Sequence, residues 1–129
     1  YFIKKPNIAI LGFNPHNFAN KKKSEEKLII IPAISRLRKN GIKAFGPISA
    51  DTSFMEYKKN KFDVIVGMYH DQVLTPFKAI FNYQAINVTL GLPFIRVTPD
   101  HGVAENIMGK NIANPDSLIT SIVFFNKIK

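Results

Sequence analysis

A chain of 129 residues, 46% of them apolar, can bury one real core, is too short for two ordinary domains and is not disordered by composition. No run approaches the ~20 apolar residues that cross a bilayer, and the absence of cysteine excludes a disulfide framework or a thiolate metal site, so a cytoplasmic protein with no membrane partner is expected. The net charge of +9 comes mostly from scattered lysines, with only Lys21-Lys22-Lys23 forming a run, which speaks against nucleic-acid recognition and fits either a general Lys, Asn, Ile and Phe enrichment or attraction of an anionic substrate or cofactor.

In chain order, Asn7 to Gly12 is a short apolar run suited to a buried strand, and Phe13-Asn14-Pro15-His16-Asn17 is a turn-rich loop. Ser24-Glu25-Glu26 can start a helix that Pro32 would break, since proline fits better as the first residue of another helix. Ala33, Ile34 and Leu37 recur at helical spacing, and Asn40-Gly41 is a stop signal. A strand is expected over Ile42 to Phe45, a loop from Gly46 to Thr52 and a helix over Ser53 to Asn60. Phe62 to Met68 is the clearest strand, ending at the polar cluster Tyr69-His70-Asp71-Gln72. Pro76 to Asn82 is expected as a helix and Ala85 to Leu90 as a strand, with a turn at Gly91-Leu92-Pro93 into a short strand ending near Arg96. From Pro115 to Lys127, Leu118, Ile119, Ile122, Val123 and Phe125 fall at helix-compatible spacing. Alternating strands and helices imply an α/β domain over residues 1–129, a mostly parallel sheet flanked by helices. Such sheets bind ligands beyond the carboxyl ends of their strands. Asn14-Pro15-His16, Ala50-Asp51-Thr52 and Tyr69 to Gln72 all fall at such ends.

All three histidines, His16, His70 and His101, are expected in loops that follow apolar strands. Imidazole is a common ligand of divalent ions, but spacing alone favours reading each histidine as a loop residue satisfied by backbone groups. Asp71 and Asp100 can orient the neighbouring His70 and His101. Asp51 can act as a ligand, as the partner of a ligand, as a general base, or simply as a helix N-cap. Lys78, Asn87 and Arg96 bring two cations and an amide, with arginine suited to forked recognition of carboxylate or phosphate. Lys78 is equally a solvated helix residue, and Asn87 a turn or strand-edge residue.

In sequence order, Asn14-Pro15-His16, Gly46-Pro47 with Ala50 to Phe54, Tyr69 to Gln72, Asn87 to Arg96 and Asp100-His101-Gly102 resemble the C-terminal half of the 4-hydroxythreonine-4-phosphate dehydrogenase family, over nearly the whole chain. The resemblance implies part of an isocitrate/isopropylmalate-dehydrogenase-like fold. It assigns His16 and His70 to a divalent metal (zinc, cobalt or magnesium), and Lys78, Asn87 and Arg96 to a phosphorylated hydroxy-amino-acid substrate. Asp51 and Lys78 fall at catalytic positions. His101, Gly102 and Asn114 match a loop that contacts NAD, with NADP as the alternative. The implied reaction is hydride transfer from a secondary alcohol to NAD followed by decarboxylation, in vitamin B6 synthesis, by a homodimer with a shared active site. The family's third metal histidine lies in the half not represented here, and the chain starts at Tyr1, so a fragment inactive alone is expected. The stretch from Asn17 to Lys23 departs from the family pattern. A relative acting on a phospho-threonate or phospho-erythronate, and a non-catalytic fragment that retains only the fold, are the rival readings. Isocitrate-type enzymes bind their metal through aspartates, whereas histidines stand here.

Overall fold

The computed structural model describes residues 3–16 and 23–128. Asn17 to Lys22, most of the stretch that departs from the family pattern, and Tyr1 lie outside the described residues. The chain divides into two compact units, Tyr1–Phe77 and Lys78–Lys129.

In the first unit, β1 (Ile8–Leu11) pairs in parallel with β2 (Ala44–Ile48) on one side and β3 (Val64–Val66) on the other. A central parallel strand is covered from both faces, and Ala9, Ile10 and Leu11 are accordingly buried. A π-helical turn (Glu26–Ile30) runs directly into α1 (Ile31–Lys39). Pro32 thus stands near the start of a second helix, as expected, although the π-helical turn runs into it without a gap. It sits in the first turn of α1, immediately after the wider π segment, where a missing N–H is tolerated. Ile30 and Ile34 lie one turn apart and pack on Ile10 and Ala44, with Ile8, Leu37 and Met68 closing the core. At the expected stop, the N–H of Gly41 bonds to Arg38 and that of Ile42 to Leu37, with Gly41 at φ +78. That pattern is a glycine-terminated helix end.

The boundaries of β2 differ from expectation. Ile42 is used by the helix end, and the strand runs on through Gly46-Pro47 until Ile48 pairs with Leu11. Gly46 makes the approach possible, because a Cβ there would collide with the carbonyl oxygen of Ile10. The helix α2 (Ala50–Glu56) begins earlier than expected, after an extended Ser49 at its N-cap. α3 (His70–Phe81) begins six residues before Pro76, so His70 opens a helix rather than sitting in a loop. The cause is Gln72, which is buried: its Oε1 accepts the Met68 N–H at 2.8 Å and its Nε2 donates to the Gly12 carbonyl at 2.8 Å. β3 is shorter than the Phe62 to Met68 run.

In the second unit, β4 (Ile86–Thr89) and β5 (Arg96–Pro99) form an antiparallel pair, with Asn87 opposite Thr98 and Thr89 opposite Arg96. Arg96 thus starts its strand instead of ending one. The helix α4 (Asp116–Lys127) matches the expected span. It turns Ser117 and Ser121 inward and leaves Leu118, Ile119 and Ile122 exposed. Ser117 Oγ donates to the Ala85 carbonyl and accepts the Asp100 N–H, tying the helix to both strands. No helix among the described residues is long and apolar enough to cross a membrane.

Substituting Gly46 with alanine is expected to lower the unfolding free energy by at least about 2 kcal/mol, from backbone strain plus an overpacked contact. Gly41→Ala, where nothing lies within 4 Å of the added carbon, is expected to lower it by about 1 kcal/mol. Urea denaturation of the two variants measures both.

Candidate active site

The three parallel strands of the first unit deliver their following loops to one edge of the sheet. The loop after β1 is tied to both neighbours. Ser49 Oγ, at the start of α2, donates to the Pro15 carbonyl at 3.0 Å, and the Phe13 ring meets Tyr69 edge-on at 6.2 Å. Below them, the Gly12 N–H bonds to Ile48 while its carbonyl accepts Gln72 Nε2. His16, Asp51 and His70 are thereby gathered at the carboxyl edge, as their spacing after apolar runs suggested.

The individual roles open to them are narrower than in the sequence. His70 Nδ1 lies 2.8 Å from Asp71 Oδ1, the orienting contact expected of adjacent residues. With Nδ1 donating to the carboxylate, Nε2 presents its lone pair outward. Asp51 lies in the first turn of α2 and is not its N-cap, a position held by Ser49. Among the described residues no group of three or more His, Cys, Asp or Glu is arranged to hold a metal ion. The imidazoles are suitable donors, but His16 and His70 do not complete a metal centre by themselves.

Glu26 was not anticipated as part of this region. It is 0% exposed, and its Oε1 accepts the Asn14 N–H at 2.7 Å. That N–H holds the Glu26 carboxyl below its ordinary value of 4.5, against the opposing effect of burial. Its Oε2 is buried with no hydrogen-bond partner among the described residues. Asn14 Oδ1 in turn accepts the His16 N–H at 3.0 Å, closing a side-chain turn. The acidic pair Glu25-Glu26 signalled only a helix start in the sequence, because nothing local indicates that a carboxylate will face a loop twelve residues earlier.

In the second unit, the cross-strand pairs Asn87–Thr98 and Thr89–Arg96 put Asn87 and Arg96 on one face of the hairpin, since alternate residues share a face. Arg96 Nη1 donates to Thr89 Oγ1 at 2.9 Å. Lys78 is not simply solvated: its Nζ lies 3.4 Å from Asp100 Oδ2 and 3.2 Å from the Asp100 carbonyl. Asp100 therefore serves Lys78 and does not orient His101, whose Nδ1 faces the Gly102 carbonyl at 3.1 Å. His101, Gly102 and Asn114 line one cavity of about 720 Å³ together with Tyr83, Ile107 and Met108. Its size is within the range of small-molecule clefts, and its wall is largely apolar with amide groups. Asn114 Oδ1 accepts the Asp116 N–H at 2.8 Å and so also starts α4.

Comparison with known proteins gives a consistent result. The sequence model of the family described as pyridoxal phosphate biosynthetic protein PdxA matches residues 1–124. A 4-hydroxythreonine-4-phosphate dehydrogenase of Sulfurihydrogenibium sp. (strain YO3AOP1) is 52% identical over 121 residues, which are 93% of this chain and 37% of that protein. One from Beijerinckia indica is 44% identical over 128 residues, covering 98% of this chain and 38% of its own. Among solved structures, a 4-hydroxythreonine-4-phosphate dehydrogenase from Klebsiella pneumoniae superposes with a TM-score of 0.78 at 40% identity, covering 95% of this chain and 37% of that one. A terephthalate 1,2-cis-dihydrodioldehydrogenase from Burkholderia xenovorans LB400 gives 0.60 at 26% identity, covering 93% and 38%. The chain spans little more than a third of the length of the curated relatives it matches. The α/β class with an isocitrate/isopropylmalate-dehydrogenase-like fold holds.

A carboxyl whose folded-state value is depressed contributes stability that is present above its unfolded value and lost as the pH falls through the folded one. Glu26→Gln is therefore expected to flatten the loss of stability below pH 4.5, measured by urea denaturation at stepped pH. Parallel profiles for the two proteins would show that the Glu26 carboxyl has the same proton affinity folded and unfolded.

Proposed function

The chain belongs to the pyridoxal phosphate biosynthetic protein PdxA family, and on that premise we propose that it serves a 4-hydroxythreonine-4-phosphate dehydrogenase. The reaction is NAD-dependent oxidation and decarboxylation of 4-hydroxythreonine 4-phosphate in the synthesis of pyridoxal phosphate. The chain acts as the C-terminal portion of a longer, cytoplasmic enzyme, a homodimer with a shared active site. The observation that carries this reading is the gathering of His16, Asp51 and His70 at the carboxyl edge of the parallel sheet, in a chain matched by the family over residues 1–124.

Within this reading, His16 and His70 furnish two imidazole ligands to a divalent ion (zinc, cobalt or magnesium), and the remaining ligands come from outside the described residues. Lys78, Asn87 and Arg96 hold the anionic and polar groups of the substrate, fixing its reacting carbon in place. Lys78 exchanges Asp100 for the arriving anion, and its ammonium then stands beside the oxygen on which negative charge grows as carbon dioxide leaves. The Asp51 carboxylate takes the proton of the alcohol. His101, Gly102 and Asn114 hold the adenosine end of NAD, or of NADP in its place, which when bound supplies the hydride acceptor.

Calorimetric titration of the chain with cobalt is expected to show saturable binding that is lost in both His16→Ala and His70→Ala. Binding indifferent to both substitutions would leave a dehydrogenase fold without this metal site. In the dehydrogenase containing this chain, Lys78→Ala is expected to weaken binding of the phosphorylated substrate by at least about tenfold, the scale of one charge-assisted hydrogen bond. Equal affinity in wild type and variant would remove Lys78 from the substrate site. A preference for phospho-threonate or phospho-erythronate in the same assay would move the substrate assignment to those acids.

A further inference from the structure

A fully buried carboxylate is an expensive feature for a small unit to keep. Withdrawing an ionised group from water is unfavourable, and an apolar residue of similar volume at such a position is often as stable or more so. Glu26 is 0% exposed and nonetheless stands on the same face as Ile30, one turn along and part of the core. Its backbone is held by the π-helical turn, where the Ile31 N–H bonds to the Glu26 carbonyl. The side chain is thus supplied from a rigid element, and its Oε1 accepts the Asn14 N–H at 2.7 Å, the largest of the interactions that favour its ionised form.

That bond begins a short relay. Asn14 Oδ1 accepts the His16 N–H at 3.0 Å, and the intervening Pro15 has its φ set by its ring and its carbonyl held by Ser49 Oγ at 3.0 Å. Three consecutive residues are pinned in turn. The Asn14–His16 and Ser49–Pro15 bonds are exposed. The bond to Glu26 is shielded and charge-assisted, hence the strongest of the three.

We propose that Glu26 is a positioning residue, whose buried carboxylate sets the Asn14-Pro15-His16 turn and thereby aims the His16 imidazole, a role whose catalytic weight rests on the reading of His16 as a metal ligand. Glu26 touches neither metal nor substrate. It acts through Asn14, as outer partners of metal ligands do elsewhere, where their loss weakens metal binding by about 10–100-fold.

The test uses the 129-residue chain in wild-type form and as Glu26→Met, which removes the acceptor at similar volume, and Glu26→Gln, which restores an oxygen acceptor without the charge. Amide hydrogen exchange, read residue by residue without metal, is expected to speed up at least about tenfold at His16 in Glu26→Met while the amides of Ile10 and Ile65 keep their rates. Glu26→Gln is expected to return His16 to within about threefold of wild type. Cobalt affinity by calorimetry is expected to follow the same order, about tenfold weaker in Glu26→Met and largely restored in Glu26→Gln. An unchanged His16 rate in Glu26→Met, or acceleration spread evenly over β1 and β3, would overturn the proposal, the second outcome making Glu26 a merely structural residue. If wild type binds no cobalt, the metal reading of His16 fails, while the exchange rates still decide whether Glu26 sets the turn. Should Glu26→Met not fold, Glu26→Asp carries the same expectation, since it keeps the charge but withdraws the acceptor by one methylene.

Discussion

The parallel pairing of β1 with strands on both sides is the interaction on which the candidate site depends. Because its backbone groups are used in both directions and Ala9, Ile10 and Leu11 are withdrawn from water, β1 cannot slide without breaking two ladders and exposing its core face. All three strands point the same way, so the polar segments that follow them emerge at one edge. The glycine at position 46 belongs to the same constraint, since it lets β2 lie against the Ile10 carbonyl where any side chain would intrude. From that register follow the contacts of the next layer: Gln72 reaching back to Gly12, Ser49 reaching Pro15, and Tyr69 meeting Phe13. Polar residues that look unrelated along the chain become neighbours through it.

Two kinds of electrostatic arrangement surround the candidate residues, and they differ in solvent access. The Lys78–Asp100 and His70–Asp71 pairs are accessible to water and ions, so each partner can be exchanged for a ligand group at small cost. Glu26 is shielded, and its bond to Asn14 does not have to compete with solvent.

Much of this was legible where the signal is local. β1, β4, α1 and α4 follow from apolar runs and helical spacing, the Asn40-Gly41 stop is a real helix end, and the His70–Asp71 contact joins adjacent residues. What escaped depends on partners far along the chain. The start of α3 was hidden because His70-Asp71-Gln72 is polar, although Gln72 is buried by bonds to Met68 and Gly12. The length of β2 was hidden because Gly46-Pro47 has the composition of a turn, and its pairing with β1 overrides that preference. α4 matches its expected span, while its spacing carried no sign that the serines face inward, held by hydrogen bonds that no periodicity records. Glu26 and Ser117, each central to its own cluster, carry no local mark of that role. For Lys78 and Asn87, only the family resemblance, and not spacing, implied a role beyond a solvated helix face or a strand edge.

The arrangement of β1 also bears on how the chain is made. Its two partners follow it in sequence, β2 after α1 and β3 after α2, so neither has emerged when this apolar strand leaves the ribosome. Only when β3 has emerged can the sheet close on both sides, whereas the β4–β5 hairpin needs only its own neighbourhood. β1 therefore waits for both of these partners through most of the unit's translation, and a strand whose partners are still to come is open to aggregation for that interval.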